Sequence, residues 1–79
     1  MWWLFEKLSE TASQVAYRYS RESQDCDGKI VFDKKRYDII DFQHSHNDHS
    51  EFDKKTAIDK FACFVADEGY PDRRRVVCG

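Results

Sequence analysis

The stretch that decides the fold of this 79-residue chain is WWLFEKLSETASQVAYRYS, residues 2–20. It contains neither Gly nor Pro, and its apolar residues recur at spacings of three and four. This spacing is typical of the buried stripe of an amphipathic helix, with charged side chains on the wetter side. The sequence therefore predicts a first helix here. The residues of its stripe are Leu4, Phe5, Leu8, Ala12, Val15 and Tyr19.

Residues 29–42 follow a polar segment and predict a β-hairpin. They form two short runs rich in β-branched and aromatic residues, joined by a charged segment. In the second run, either Tyr37 and Ile39 or Ile40 and Phe42 point inward. The adjacent isoleucines leave these two registers open.

A second helix is predicted from Ser50 to about Glu68. Ser50 is a favourable N-cap, Gly69 is well placed as the C-cap, and Pro71 enforces the stop. Its expected buried residues are Phe52, Ile58, Phe61, Ala62 and Val65, with Ala57 and Phe64 widening the apolar stripe. Residues 73–77 then predict a further strand, placed antiparallel beside the first run of the hairpin or, less favourably, parallel beside the second.

These elements predict a single α+β domain over residues 1–79, in the order α-β-β-α-β. A small, mainly antiparallel sheet, made of the hairpin and the C-terminal strand, would be packed on one face by two amphipathic helices. The other face of the sheet would stay in contact with water or meet a partner.

Composition and charge narrow the classes of function. Thirteen basic and fifteen acidic side chains give a formal net charge of −2, so we expect no nucleic-acid partner. No apolar run approaches the roughly 20 residues that a membrane helix needs, so we expect no membrane partner. The cysteines are three in number and lack a C-x-x-C pair, which favours a reducing, cytoplasmic location.

All three histidines fall within one hexapeptide, His44-Ser-His46-Asn-Asp48-His49. Neutral imidazole is a good ligand for zinc and nickel, and a carboxylate lies within the same segment. The favoured interpretation is a polar loop in which the histidines are solvated and Asn47, Asp48 and Ser50 compete to cap the helix that follows. A metal-binding loop that uses His44, His46, Asp48 and His49 is the alternative.

The pattern H-x-H-x-D-H resembles the metal-binding signature of the metallo-β-lactamase superfamily. The resemblance implies one zinc held by His44 and His46, a second held by Asp48 and His49, and a bridging hydroxide that attacks the substrate. That fold is a larger αββα sandwich with further ligands from later loops, and no histidine follows His49. The hydrolase is therefore excluded on size, and metal binding at the loop is kept.

The chain has more aromatic residues than one face of each predicted element needs. Trp3 and Tyr17 fall off the stripe of the first predicted helix, and Trp2 stands beside them. Exposed Trp and Tyr anchor many protein interfaces. We therefore predict a non-enzymatic protein-interaction module that binds another protein or itself through Trp2, Trp3 and Tyr17, with no cofactor needed. A metal-binding protein that uses the histidine loop is the alternative function.

Overall fold

The computed structural model describes residues 1–48 and 50–77 of the chain. Within them, five strands and one helix follow in the order β-β-β-β-α-β. Their bounds are β1 Trp2–Glu10, β2 Gln14–Arg21, β3 Gly28–Asp33, β4 Asp38–Gln43, α1 Glu51–Glu68 and β5 Arg73–Val77. Neighbouring strands are antiparallel, and the sheet order is β4-β3-β2-β1-β5. The helix therefore carries the chain from one edge of the sheet to the other.

The prediction of a first helix is wrong, because residues 2–20 form the hairpin of β1 and β2. In β2, Val15, Tyr17 and Tyr19 are buried, and this alternation has the period of a strand. Aromatic and β-branched side chains fit such a pleated surface better than a helix. The apparent helical spacing includes Leu8, which is an exposed bulge residue in β1. The α-β-β-α-β order with two helices is therefore also wrong.

The second predicted helix is confirmed as α1. Ser50 caps it and exchanges hydrogen bonds with Asp53 in a capping box, and Gly69 ends it with a φ of 78°. Its buried face differs in part from the expected one, since Phe52 and Ala62 are exposed. The buried residues of the helix are Ala57, Phe61, Phe64 and Val65.

The predicted C-terminal strand is confirmed as β5, but its expected neighbour is wrong. β5 pairs with β1, where Trp3 lies opposite Val76 and Phe5 opposite Arg74. The hairpin of β3 and β4 lies on the far side of β2. Because the first helix is in fact a strand pair, β1 presents the edge on which β5 docks.

The register of β4 combines the two registers that the sequence left open. Ile39 and Phe42 pack against the core, and Ile40 between them is the extra residue of a β-bulge. The bulge allows residues three apart to share one face of the strand. Neither alternative was right by itself, because each assumed strict alternation.

The core is a layer of aromatic rings between the sheet and α1. Phe5 and Tyr17 of the sheet lie 5.1 to 5.7 Å, centroid to centroid, from Phe64 of the helix. Gly28 is required beside this layer, because a Cβ there would collide with the Tyr19 ring and the backbone of Ser45. In the described part of the chain, no helix has the length and apolar character needed to cross a membrane.

Candidate functional site

An apolar groove lies between β4 and α1, at the end of the β3–β4 hairpin. It has a volume of about 150 Å³ and opens to solvent. A cavity of this volume can hold one group the size of a benzene ring, so the groove can take a single apolar side chain. Its lining residues are Phe32, Tyr37, Asp38, Ile39, Ile58, Phe61 and Ala62.

The floor of the groove is part of the aromatic core. The rings of Phe32 and Phe61 meet edge to face at 5.4 Å, and Phe61 also contacts Tyr17 at 5.3 Å. Ile58 and Ala62 are four residues apart on α1, so they share one face of the helix and form the helical wall. The groove is therefore built on packed elements and is formed before any partner binds.

Tyr37 forms the outer wall and ends the turn between β3 and β4. Asp33 Oδ1 accepts hydrogen bonds from the amides of Lys35 and Arg36 at 2.9 and 3.0 Å, which fixes this turn. Tyr37 has a φ of 56°, a conformation that is costly for a bulky residue. Its ring packs on Phe32 and is still 57% exposed. Strained backbone that presents an aromatic ring is typical of a binding surface.

The strand beside the groove has a free edge. β4 is the last strand of the sheet on this side within the described residues. The backbone amide of Phe42 donates to its neighbour Asp41 Oδ1 at 3.0 Å, and Ile40 at the bulge is exposed. A row of outward backbone groups is a template for another strand.

Residues 44–48, which follow β4, are held to the sheet by a buried carboxylate. Asp48 Oδ2 accepts a hydrogen bond from the phenol of Tyr19 at 2.8 Å, and Arg21 Nε lies 3.2 Å from Oδ1. The Arg21–Asp48 contact is an ion pair whose geometry does not make a hydrogen bond. Among the described residues, Asp48 Oδ1 therefore accepts no hydrogen bond. Burial raises the pKa of the Tyr19 phenol above its usual range.

Asp27, from the loop before β3, holds the same segment from the outside. Its Oδ1 accepts from the Ser45 hydroxyl at 2.8 Å, and its Oδ2 pairs with Nδ1 of His46. This hydrogen bond from His46 lowers the pKa of Asp27 to about 2 and raises the pKa of His46. The loop is thus tied at two points, which fixes where α1 begins relative to β4.

The residues of the predicted metal loop point in different directions. His44 is exposed, His46 pairs with Asp27, and Asp48 is buried in the sheet contact described above. His49 lies outside the described residues. Within residues 1–48 and 50–77, no three His, Cys, Asp or Glu side chains cluster as a metal site requires. Zinc or nickel binding at this loop stays a prediction, to be tested by calorimetry with His46→Ala as the control.

The aromatic residues predicted as an interface are placed differently from expectation. Trp3 and Tyr17 are 1% and 0% exposed, so their expected position on an exposed helix face is wrong. They point under α1 because they lie on strands and not on a helix. Trp2 is half-buried on the opposite face of the sheet, with the guanidinium of Arg75 4.4 Å from its ring centroid.

The groove is not evident from the sequence. Ile58 and Ala62 were expected in the helix stripe, and Tyr37 was one of two options for an inward position. One signal was available, since an aromatic residue ends the charged turn KKRYD at 34–38. Turn positions favour small and polar residues, so a Tyr at this turn indicates that its ring contacts another part of the protein or a partner.

The lining of the groove is mainly apolar, which suits the binding of an apolar group. The ionisable residues of its lining are Tyr37 and Asp38, and the Asp38 side chain points to the opposite face of the sheet. Comparisons with protein families, curated proteins and solved structures found no match to this chain. The function must therefore be argued from the site.

Proposed function

We propose that this chain is a non-enzymatic protein-interaction module that receives an extended segment of its partner along β4. The observation that carries the proposal is the apolar groove directly beside a free strand edge. In strand addition of this type, main-chain hydrogen bonds supply affinity and a side-chain pocket supplies specificity. The groove would take one apolar anchor of the added segment.

The expected affinity is modest. Burial of one Leu or Phe side chain contributes about 1.5–3 kcal/mol, and each new backbone hydrogen bond about 0.5–1.5 kcal/mol. Association costs several kcal/mol in lost freedom of motion. A short strand with one anchor therefore fits a reversible contact, and a tight complex would need further contacts.

The partner segment is expected to be basic as well as apolar. Asp38 borders the groove and Asp41 lies on the same strand, and both are exposed. Opposite charges on adjacent strands are favourable, and like charges are unfavourable. We also place the module in the cytoplasm, a location supported by the free thiols of Cys26 and Cys63.

Random peptides displayed on phage, selected on the immobilised chain, test this function without a known partner. We expect enriched peptides with one large apolar residue and at least one Lys or Arg. Binding should be lost in Ala62→Arg, because Ala62 lines the groove. The matched control is Ala66→Arg, an exposed residue one turn further along α1, outside the groove lining.

Two results would contradict the proposal. One is the absence of any enriched peptide on the folded chain. The other is equal binding of the selected peptides by Ala62→Arg and Ala66→Arg, since the groove would then have no part in recognition.

A further inference from the structure

The two edges of the sheet carry opposite charges. β4, at one edge, contains Asp38 and Asp41 and no basic residue. β5, at the other edge, begins with three consecutive arginines, Arg73 to Arg75. Because adjacent strands alternate in direction across the order β4-β3-β2-β1-β5, the two edge strands run in the same direction.

The charges on the two edges also match in spacing. Asp38 lies opposite Asp33 and Asp41 opposite Val31, so the bulge at Ile40 leaves the two carboxylates two pairing positions apart. Arg73 and Arg75 are separated by the same interval. A strand of β5 sequence beside β4 would therefore meet each carboxylate with a guanidinium.

All four charges lie on the face of the sheet away from α1, here called the open face. Arg73 is there because its Nε lies 3.6 Å from Glu6, and Arg75 because it stacks on Trp2. Asp38 and Asp41 share this face because their cross-strand partners alternate with the core residues of β3. The apolar residues match on the other face, where Phe42 and Val76 both pack against the core.

The outward backbone groups restrict the possible registers. The amide of Lys7 bonds to the carbonyl of Asp72, so by alternation Arg74 and Val76 face β1 and Arg75 faces outward. On β4, the Phe42 amide faces outward. A residue in a parallel ladder bonds to the two residues that flank the one opposite it. Arg75 can then lie opposite Asp41 or opposite Gln43, and of these two registers the charges select the one with Asp41.

We infer that the partner of this module is a second copy of the chain, with β5 of one copy added in parallel beside β4 of the next. This inference rests on the free β4 edge of the proposed function and names the occupant of that edge. β5 does not supply the apolar anchor of the groove, because Arg74 is its residue on the groove side next to Ile39. It places Asp38 beside Arg73, Asp41 beside Arg75 and Phe42 beside Val76. Pairing of like edges would bring carboxylates, or guanidinium groups, against each other, which disfavours a two-fold dimer.

Side chains cover both edges in the free chain. The Asp41 carboxylate holds the Phe42 amide, and the guanidinium of Arg74 holds the carbonyl of Arg75. In the pair, Asp41 turns to Arg75 and the freed backbone groups bond to each other. A joint between two different edges repeats with each added copy, so it builds a ring or a filament and does not stop at two chains.

Sedimentation velocity on the wild-type chain up to millimolar concentration, with charge-reversal variants, tests the inference. We expect association beyond the dimer. Arg75→Asp and Asp41→Arg should each weaken it by more than about tenfold, because each places like charges in contact. The double variant Asp41→Arg/Arg75→Asp should restore association, since the pair is then reversed in every joint.

Matched controls are Lys55→Asp and Asp59→Arg, exposed on the outer side of α1, which should associate as the wild type does. A monomeric wild type at millimolar concentration would overturn the inference, as would failure of the double variant to recover. A two-fold dimer that both single variants leave intact would overturn it too. None of these results affects the peptide selection with Ala62→Arg, so the proposed function is judged separately.

Discussion

The phenol of Tyr19 donates a 2.8 Å hydrogen bond to Asp48 and so joins the centre of the sheet to the loop that precedes α1. Both side chains are buried, and Arg21 lies 3.2 Å from the carboxylate. Because the groove has one wall on β4 and the other on α1, this contact sets the distance between its walls. It links the stability of the fold to the shape of the binding site.

We expect Asp48→Ala to lower the free energy of unfolding by about 3 kcal/mol. The change leaves a partly buried guanidinium on Arg21 and a buried phenol on Tyr19 without their shared partner. Urea denaturation followed by circular dichroism measures the loss. Asp59→Ala on the exposed side of α1 is the control and should stay within about 0.5 kcal/mol of the wild type. An equal effect of the two substitutions would show that Asp48 does not hold the loop.

The two described interior glycines should respond differently to substitution. A Cβ at Gly28 would collide with the Tyr19 ring and the Ser45 backbone, so Gly28→Ala should cost about 2–3 kcal/mol. At Gly69 nothing lies within 4 Å of the added carbon, so Gly69→Ala should cost only the backbone strain of a φ of 78°, about 1–2 kcal/mol. Thermal unfolding of both variants shows which one loses more stability. A larger loss in Gly69→Ala than in Gly28→Ala would contradict the packing around Tyr19.

The Asp27–His46 pair should make the stability of the loop before α1 depend on pH. The pKa of Asp27 is lowered to about 2 from an ordinary 3.8. The stabilisation of the loop by this carboxylate is therefore present above about pH 4 and is lost as the pH falls toward 2. The pKa of His46 is raised above its ordinary 6.5, so its contribution is present below pH 6.5 and is lost as the pH rises through the raised value. Together they stabilise the loop most between about pH 4 and 6.5.

A proton NMR titration of the His46 ring checks this pair. In Asp27→Asn the pKa of His46 should fall toward 6.5, because the hydrogen bond to Asp27 is the main reason that this pKa is raised. The effect on overall stability should be small, since both groups are exposed to solvent. An unchanged pKa of His46 in the variant would show that the two side chains do not pair in solution.

The parts of the fold that follow local rules were predictable from the sequence. Ser50, Gly69 and the apolar residues between them predict α1, because caps and helical periodicity act within a few residues. The hairpin over 29–42 was predictable for the same reason. The first hairpin was not, since the bulge at Leu8 and the Thr11–Ser13 turn imitate the spacing of a helix stripe.

The candidate site was less predictable than the fold. Its walls come from β4 and α1, and their proximity depends on the tertiary contact between Tyr19 and Asp48, 29 residues apart. The bulge at Ile40 decides which β4 side chains line the groove, and the sequence leaves that register open. The aromatic excess was a correct observation, but Trp3 and Tyr17 serve the core because the strand period turns them inward.

Hydrogen exchange at the Phe42 amide tests strand addition at β4 most directly. This amide faces the free edge, and among the described residues its hydrogen bond is to the carboxylate of the neighbouring Asp41. The amide of Lys34 instead bonds to the Ser13 carbonyl at the end of the β2–β3 pair. As the concentration of the chain rises, exchange at Phe42 should slow, with Lys34 as the reference, and Arg75→Asp should abolish the slowing. Equal exchange at Phe42 in dilute and concentrated wild-type protein would contradict the pairing of β4 with a second copy.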